Sequence, residues 1–271
     1  MKTCLLQCLR SFSMILLMLC AWQPGAQADP VPVRIVKGTL HGFLEMRSGD
    51  GSVVASGDLV QIARGSQITT RLLFTFKDGS IDDETTVFSQ RRTLQLITDH
   101  HQQKGPSFPH PIDLFIDARS GKVTVGSTGK DGKAQVKTSN LQLPLDLANG
   151  LVSSIVENIR PGTPETRVSI LAADPDPKLV TLSIASRGDE SFSLAGSTRK
   201  ATHYEIKIEL GGVAGVVAPM IGKQPPNIQI WVIGGPAPCV LREQGPIYPE
   251  GPIYTIQLAS PTWPDSPKPG N

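Results

Sequence analysis

Short runs in which apolar and polar residues alternate are the feature that most constrains the fold of this chain. Gln67–Phe76 and His203–Leu210 show the alternation most clearly, with one mainly apolar face and one more polar face. A period of two residues is typical of β-strands that bury one side of a sheet. Asp-Gly pairs such as Asp50-Gly51 and Asp78-Gly79 separate the runs, and hairpin turns favour them because both residues tolerate positive φ. The pattern predicts consecutive antiparallel hairpins.

The same alternation predicts strands along most of the chain, and therefore a mainly β fold. In chain order, the predicted strands cover Thr39–Arg47, Val53–Ala63, Gln67–Phe76, Thr85–Gln90, Thr93–Thr98, Ile112–Ile116, Lys122–Val125, Gln135–Thr138, Arg167–Leu171, Val180–Ile184, Phe192–Leu194, His203–Leu210, Ile228–Val232 and Tyr254–Leu258.

One segment has the periodicity of a helix instead. Apolar residues spaced by four, with two more beside them, form a stripe over residues 147–159, which predicts an amphipathic helix. We expect Asp146 to cap its N-terminus and Pro161-Gly162 to end it. We expect the helix to pack on a curved sheet or to plug a half-barrel. The stripe consists of Leu147, Leu151, Val152, Ile155, Val156 and Ile159.

The first 28 residues have the layout of a secretory signal peptide. Lys2 and Arg10 form a positively charged N-terminal region, and Phe12–Trp22 is an apolar run without charge. Ala26-Gln27-Ala28 has the small residues of a cleavage site. The apolar run is about half as long as the roughly 20 residues of a membrane-spanning helix. We therefore predict cleavage after Ala28 and export to the periplasm or the extracellular space. Residues 29–259 would then form a single antiparallel β domain, followed by a disordered proline-rich tail over residues 260–271.

Charge and cysteine content narrow the classes further. The chain has 26 basic and 24 acidic residues, a balance that argues against a nucleic-acid binder. The predicted signal peptide contains two basic residues and no acidic one, so the mature chain would carry equal numbers of each. It would also retain only Cys239 of the four cysteines, which excludes an intramolecular disulfide.

The densest group of chemically active residues is Asp99-His100-His101, with His110 nearby. Imidazoles and a carboxylate can bind zinc or copper, but this spacing matches no standard site. On a strand, His100 and His101 would point to opposite faces. The sequence therefore favours a polar loop here over a metal site. It likewise favours a solvated turn at Asp82-Asp83-Glu84, and no cofactor is predicted.

Four stretches carry a resemblance to known proteins: Val87–Gly121, Leu143–Gly150, Glu209–Pro226 and Ile228–Gly235. They resemble a family of exported bacterial proteins of unknown function. The Leu-Pro-Leu-Asp run with its helix, together with a late strand bearing Trp231, is also similar to a broader periplasmic group. That resemblance implies a curved antiparallel half-barrel around a helix, similar to lipoprotein-carrier folds. It implies no activity and no catalytic residues.

These features predict a non-enzymatic exported protein that binds a lipid, another apolar ligand or an envelope partner on the concave face of its sheet. Leu151, Ile155, Val216 and Trp231 would line that face, although each would serve equally well in a plain core. Fold analogy alone does not establish this function.

Two alternatives from other classes stay open. The first is a metal-dependent hydrolase built on His100, His101 and His110. The second is an interaction module that pairs through an exposed edge strand.

Overall fold

A computed structural model describes residues 30–128, 134–173, 177–194, 197–209, 225–235 and 237–259. These residues form one antiparallel sheet of 14 strands and a short helix, which confirms the predicted mainly β, curved and unclosed architecture. The strands are β1 (Leu40–Arg47), β2 (Val53–Arg64), β3 (Gln67–Phe76), β4 (Ile81–Gln90), β5 (Leu94–Lys104), β6 (Ile112–Asp117), β7 (Lys122–Thr128), β8 (Ala134–Asn140), β9 (Thr166–Ala172), β10 (Lys178–Leu194), β11 (Ser197–Glu209), β12 (Ile228–Ile233), β13 (Cys239–Gly245) and β14 (Tyr254–Leu258). The helix α1 spans Val152–Asn158.

The strand order follows the chain with one rearrangement. β1 to β8 form consecutive hairpins, and β9 to β14 do the same, while β1 also pairs with β14 in the middle of the sheet. The connection over residues 141–165 carries the chain from β8 to β9, which lie at the two edges. β8 and β9 do not pair with each other, so the curved sheet is not closed into a barrel.

The two edges differ in what covers them. Residues 146–149 lie along β9, where the Ala148 amide donates to Ser169 O at 2.8 Å and the Ser169 amide donates to Asp146 O at 3.3 Å. Among the described residues, β8 pairs with β7 alone and is mostly exposed. The predicted edge-strand alternative would depend on β8.

The main core surrounds the helix. Apolar side chains of β3 to β7 and of β9 to β12 belong to one buried cluster with the helix stripe, so the sheet wraps around α1 from both sides. Burial of this stripe stabilises the fold through the hydrophobic effect. Representative members are Ile68, Phe88, Ile116, Leu151, Ile155, Ile184, Ile206 and Ile230.

An aromatic cluster forms a second core nearer the other end of β1 to β3. The ring of Phe76 meets those of Phe108 and Tyr254 edge-on, with centroids 5.4 Å and 6.3 Å away. Phe108 in turn meets Tyr248 at 5.7 Å. Phe108 lies between β5 and β6, and Tyr248 between β13 and β14. The two loops are therefore joined across the sheet by aromatic contacts.

The helix is shorter than the predicted range of 147–159. It begins at Val152, because Leu147 instead forms an isolated parallel bridge with Ser169 and Gly150 has a φ of 65°. A residue with positive φ cannot lie inside a right-handed helix. The stripe is buried as expected, but its first turn belongs to the segment that covers β9.

The predicted cap at Asp146 is wrong. The N-cap residue is Leu151, which makes no side-chain cap hydrogen bond. Asp146 lies too far before the helix and instead accepts a hydrogen bond from Ser169 Oγ at 2.9 Å. The Asp146 carboxylate, which local sequence rules assign to the helix N-terminus, therefore binds β9 instead.

Two further local predictions are wrong, and one strand was not predicted. Asp82-Asp83-Glu84 lies within β4 rather than in a solvated turn, and His100-His101 lies within β5 rather than in a polar loop. β13 was not predicted, because its sequence lacks a clear alternation. In each case the neighbouring strands supply hydrogen-bond partners that override weak local preference.

Within the described ranges, no helix is both long enough and apolar enough to cross a membrane.

Candidate functional site

Three of the four residues predicted to line a ligand face lie within the described residues, and they belong to two separate clusters. Leu151 and Ile155 lie in the main core and are 0% and 3% exposed. Trp231 belongs to a separate buried cluster with Phe192. Val216 lies outside the described residues. The helix stripe is thus enclosed by other side chains.

Trp231 is held by polar and aromatic contacts. Its indole Nε1 donates to Glu190 Oε2 at 2.9 Å, and its ring stacks on His203 with centroids 4.6 Å apart. The guanidinium of Arg242 lies 5.0 Å from the Phe192 ring centroid and 6.0 Å from that of Trp231. These contacts join β10, β11, β12 and β13 without leaving the indole open to a ligand.

The three predicted metal-binding histidines are not brought together. His100 Nε2 lies 2.8 Å from Asp113 Oδ1, whereas His101 Nε2 lies 2.6 Å from Asp82 Oδ1 on the opposite face. His110 is exposed in the β5–β6 loop. In the part of the chain that the structure describes, no group of three His, Cys, Asp or Glu residues is arranged to hold a metal ion.

Instead, the structure assembles an inner ionisable cluster on the concave face: Glu84, Asp99, His101 and Glu243. Glu84 of β4 is paired in register with His101 of β5, and Asp99 is paired with Thr86. Glu243 of β13 is close enough to Glu84 to raise its pKa. Since β4 and β13 are far apart in strand order, this proximity reflects the curvature of the sheet.

Burial shifts the protonation of this cluster. It raises the pKa of Glu84, raises that of Asp99 to about 7, and raises that of Glu243 to about 7. Burial by itself lowers the pKa of His101, but the hydrogen bond to Asp82 and the neighbouring carboxylates raise it to about 9. Near neutral pH, His101 is therefore expected to be protonated, and Asp99 and Glu243 are each expected to be partly protonated.

The turn before α1 covers Asp99 of this cluster, together with Thr86. Thr86 Oγ1 donates to Asp99 Oδ1 at 2.8 Å, and a Cβ atom at Gly150 would lie 1.9 Å from Thr86 Oγ1. Asp99 is 1% exposed, and its Oδ2 has no hydrogen-bond partner within the described residues. The cover leaves no space above Asp99 for a substrate. Sequence analysis placed Asp99 and His101 in a polar loop and Glu84 in a solvated turn, and it did not identify Glu243. The inward orientation of these side chains depends on strand register.

An open groove lies elsewhere, at one rim of the sheet. It has a volume of about 690 Å³ and lies where the β4–β5 and β6–β7 turns meet the segment that follows β8. We call it the arginine groove. Its lining comprises Ser66, Gln67, Ser89, Arg91, Arg92, Thr93, Gln95, Leu96, Ile97, Ala118, Arg119, Leu143, Pro144 and Leu145.

The lining of the arginine groove is cationic. Arg91, Arg92 and Arg119 are exposed, and the lining contains no Asp or Glu. Sequence analysis did not identify these residues. The pair Arg91-Arg92 was the available signal, but Arg119 joins it only through the pairing of β5 with β6.

The fold and groove define a class, an antiparallel β half-barrel with a helix inside and an open cationic rim. No family model matches the chain, and no curated protein matches its sequence. Among solved structures, the chain is similar to a beta-barrel-like protein of the domain of unknown function DUF1849 from Brucella abortus. The identity is 11% and the TM-score is 0.44, over 84% of this chain and 98% of that one.

Proposed function

We propose that this chain is an exported, non-enzymatic binding protein that holds its ligand in the arginine groove rather than inside the half-barrel. The observation that carries the proposal is the contrast between a concave face occupied by buried side chains and a rim groove of about 690 Å³. Small-molecule sites usually measure roughly 300–1,000 Å³.

The contents of the interior argue against a ligand beside the helix. Leu151 and Ile155 contact sheet residues on both sides, and the turn at Gly150 covers Asp99. A ligand there would have to displace core side chains, each of which contributes about 1.5–3 kcal/mol by burial. Binding at the rim has no such cost.

Export is the second part of the proposal. It is supported by the n-region, the short apolar run and Ala26-Gln27-Ala28. The intact mass of the protein recovered from the periplasm should correspond to a chain that begins at Asp29. A chain that keeps residues 1–28 would contradict export with cleavage.

Native mass spectrometry of that same material tests the binding role. We expect a small molecule to co-purify with the parent protein and to be lost from the Ser89→Trp variant, in which an indole narrows the groove. Ser191→Trp, at an exposed position of β10, is the matched control and should retain the molecule. Equal retention by both variants, or a parent protein that carries nothing, would overturn the proposal.

A further inference from the structure

The arginine groove combines three arginine side chains with one apolar wall, and this combination indicates a class of ligand. Arg91 and Arg92 belong to the β4–β5 turn and Arg119 to the β6–β7 turn. Arginine is suited to phosphate because its planar guanidinium donates two parallel hydrogen bonds to an anion. Three such groups around one concavity give it a positive potential that attracts an anion.

The backbone holds these arginines in place. Arg92 O accepts a hydrogen bond from the Val33 amide at 2.9 Å, which ties the β4–β5 turn to the N-terminal segment. In the β6–β7 turn, Asp117 Oδ1 accepts from the amides of Arg119 at 3.0 Å and Ser120 at 3.2 Å. Anchored turns limit the conformational entropy that is lost when a ligand binds.

The nearest carboxylate to Arg119 along the chain is already occupied. Hydrogen bonds from Ser120 lower the pKa of Asp117. The Asp117 carboxylate accepts hydrogen bonds within its own turn and does not line the groove. Neutral donors complete the lining, among them Ser66, Ser89 and Thr93. The groove therefore presents hydrogen-bond donors and positive charge toward an anion.

One wall of the groove is apolar. Leu143, Pro144 and Leu145 follow β8, and Leu145 is 67% exposed. Leu96 and Ile97 of β5 extend the apolar lining. A simple inorganic anion would make no use of this wall, whereas an anion that carries an aliphatic group would bury it.

We propose that the arginine groove binds the phosphate of an anionic amphiphile, with Arg91, Arg92 and Arg119 on the phosphate and the 143–145 wall on the aliphatic part. The inference rests on the proposed function, because it names the ligand class of the same site. The phosphate could belong to a lipid headgroup or to a soluble phosphate ester, and the two sources are separated experimentally.

The test uses the mature full chain at an ionic strength of about 0.15 M, where long-range attraction between exposed charges is largely screened. One arm measures co-sedimentation with phosphatidylglycerol vesicles and with neutral phosphatidylcholine vesicles. The other measures binding of monohexyl phosphate, a soluble phosphate ester with an aliphatic chain, by calorimetry. The test variant combines Arg91→Gln, Arg92→Gln and Arg119→Gln.

The control variant removes the same charge elsewhere, through Lys178→Gln, Lys200→Gln and Lys207→Gln at exposed positions of β10 and β11. We expect the arginine variant to bind at least about tenfold more weakly, because hydrogen bonds from guanidinium groups to phosphate are charge-assisted. The lysine variant should bind like the parent. Thermal melting of both variants verifies that they fold.

Arginine-dependent binding in either arm supports the inference, and the stronger arm identifies the source of the phosphate. Equal losses in the two variants, or no binding in either arm, would overturn it. A groove-dependent ligand without phosphate in the native mass spectra would overturn this inference and leave the proposed function standing. The absence of any groove-dependent ligand would remove both.

Discussion

The two faces of the β4–β5 hairpin carry the same kinds of side chain, but the pKa values of their carboxyl groups are shifted in opposite directions. Asp83 and Glu84 are adjacent in the sequence, as are His100 and His101, but each pair is divided between the convex and the concave face. On the convex face, Asp83 binds Arg71 through two hydrogen bonds of 2.9 Å and 2.7 Å. On the concave face, Glu84 and His101 are half-buried beside Asp99, which itself lies under the turn at Gly150.

The difference lies in solvation rather than in residue type. The Arg71 guanidinium lowers the pKa of Asp83, while burial raises the pKa of Glu84 one residue later. A charged group that loses water must find partners or change its protonation state. The protonation of this hairpin is therefore decided residue by residue through strand alternation, and the raised pKa values of carboxyl groups mark its concave face.

The largest effect should come from the turn that covers the concave face. Gly150→Ala places a Cβ atom 1.9 Å from Thr86 Oγ1 in a residue with a φ of 65°. Conformational strain and overcrowding should together lower the free energy of unfolding by about 3 kcal/mol or more. Urea denaturation followed by circular dichroism measures this loss.

Gly162→Ala is the matched control on the other side of α1. Gly162 also has positive φ, at 82°, but a Cβ atom there would meet nothing within 4 Å. Only the backbone strain of a residue with positive φ should remain, so the free energy of unfolding should fall by about 1–2 kcal/mol. If the two variants lost the same stability, the turn at Gly150 would not be in close contact with Thr86.

The pH dependence of stability should report the concave face. Asp99 and Glu243 have folded pKa values of about 7, above their ordinary range near 4. Between these values the folded state binds more protons than the unfolded state, so stability falls as pH rises through this window. His101, raised to about 9, contributes stability that is complete below about pH 6.5 and is lost as pH rises through 9.

Both contributions have the same sign between pH 5 and pH 8. We expect the free energy of unfolding to decrease over this interval by at least about 1.4 kcal/mol, the equivalent of one pKa unit. Glu243→Gln should flatten the curve, because an amide does not titrate. Asp83→Asn, on the convex face, should leave the slope unchanged because the pKa of Asp83 is lowered. A protein that becomes more stable from pH 5 to pH 8 would contradict these assignments.

The smallest effect should come from the convex face itself. Arg71 and Asp83 form a bidentate pair, but the Arg71 side chain is 54% exposed. Exposed ion pairs contribute about 0.2–1 kcal/mol, so Arg71→Ala should cost about 0.5 kcal/mol. Urea melts at low and at high salt measure this, and the difference from the parent should shrink at high salt. A loss above about 2 kcal/mol would mean that the two faces are not as different as their solvation suggests.

Much of the fold could be predicted because strand alternation is a local signal. The predicted range Gln67–Phe76 coincides with β3, and most other strands overlap their predicted ranges. The errors share one physical cause. β4 and β5 extend through polar residues such as Asp82 and His101 because adjacent strands satisfy their backbone, which no local pattern reveals.

The sequence by itself determined the antiparallel hairpins, the existence of an amphipathic helix and the mainly β class, since these depend on periodicity and turn chemistry within a few residues. The tertiary structure alone decided which residues come near one another: Gly150 lies against Thr86, Glu243 raises the pKa of Glu84, and Arg91 and Arg119 line one groove. These residues are far apart in the chain. Their proximity depends on strand pairing and on sheet curvature, which are properties of the whole sheet rather than of any segment.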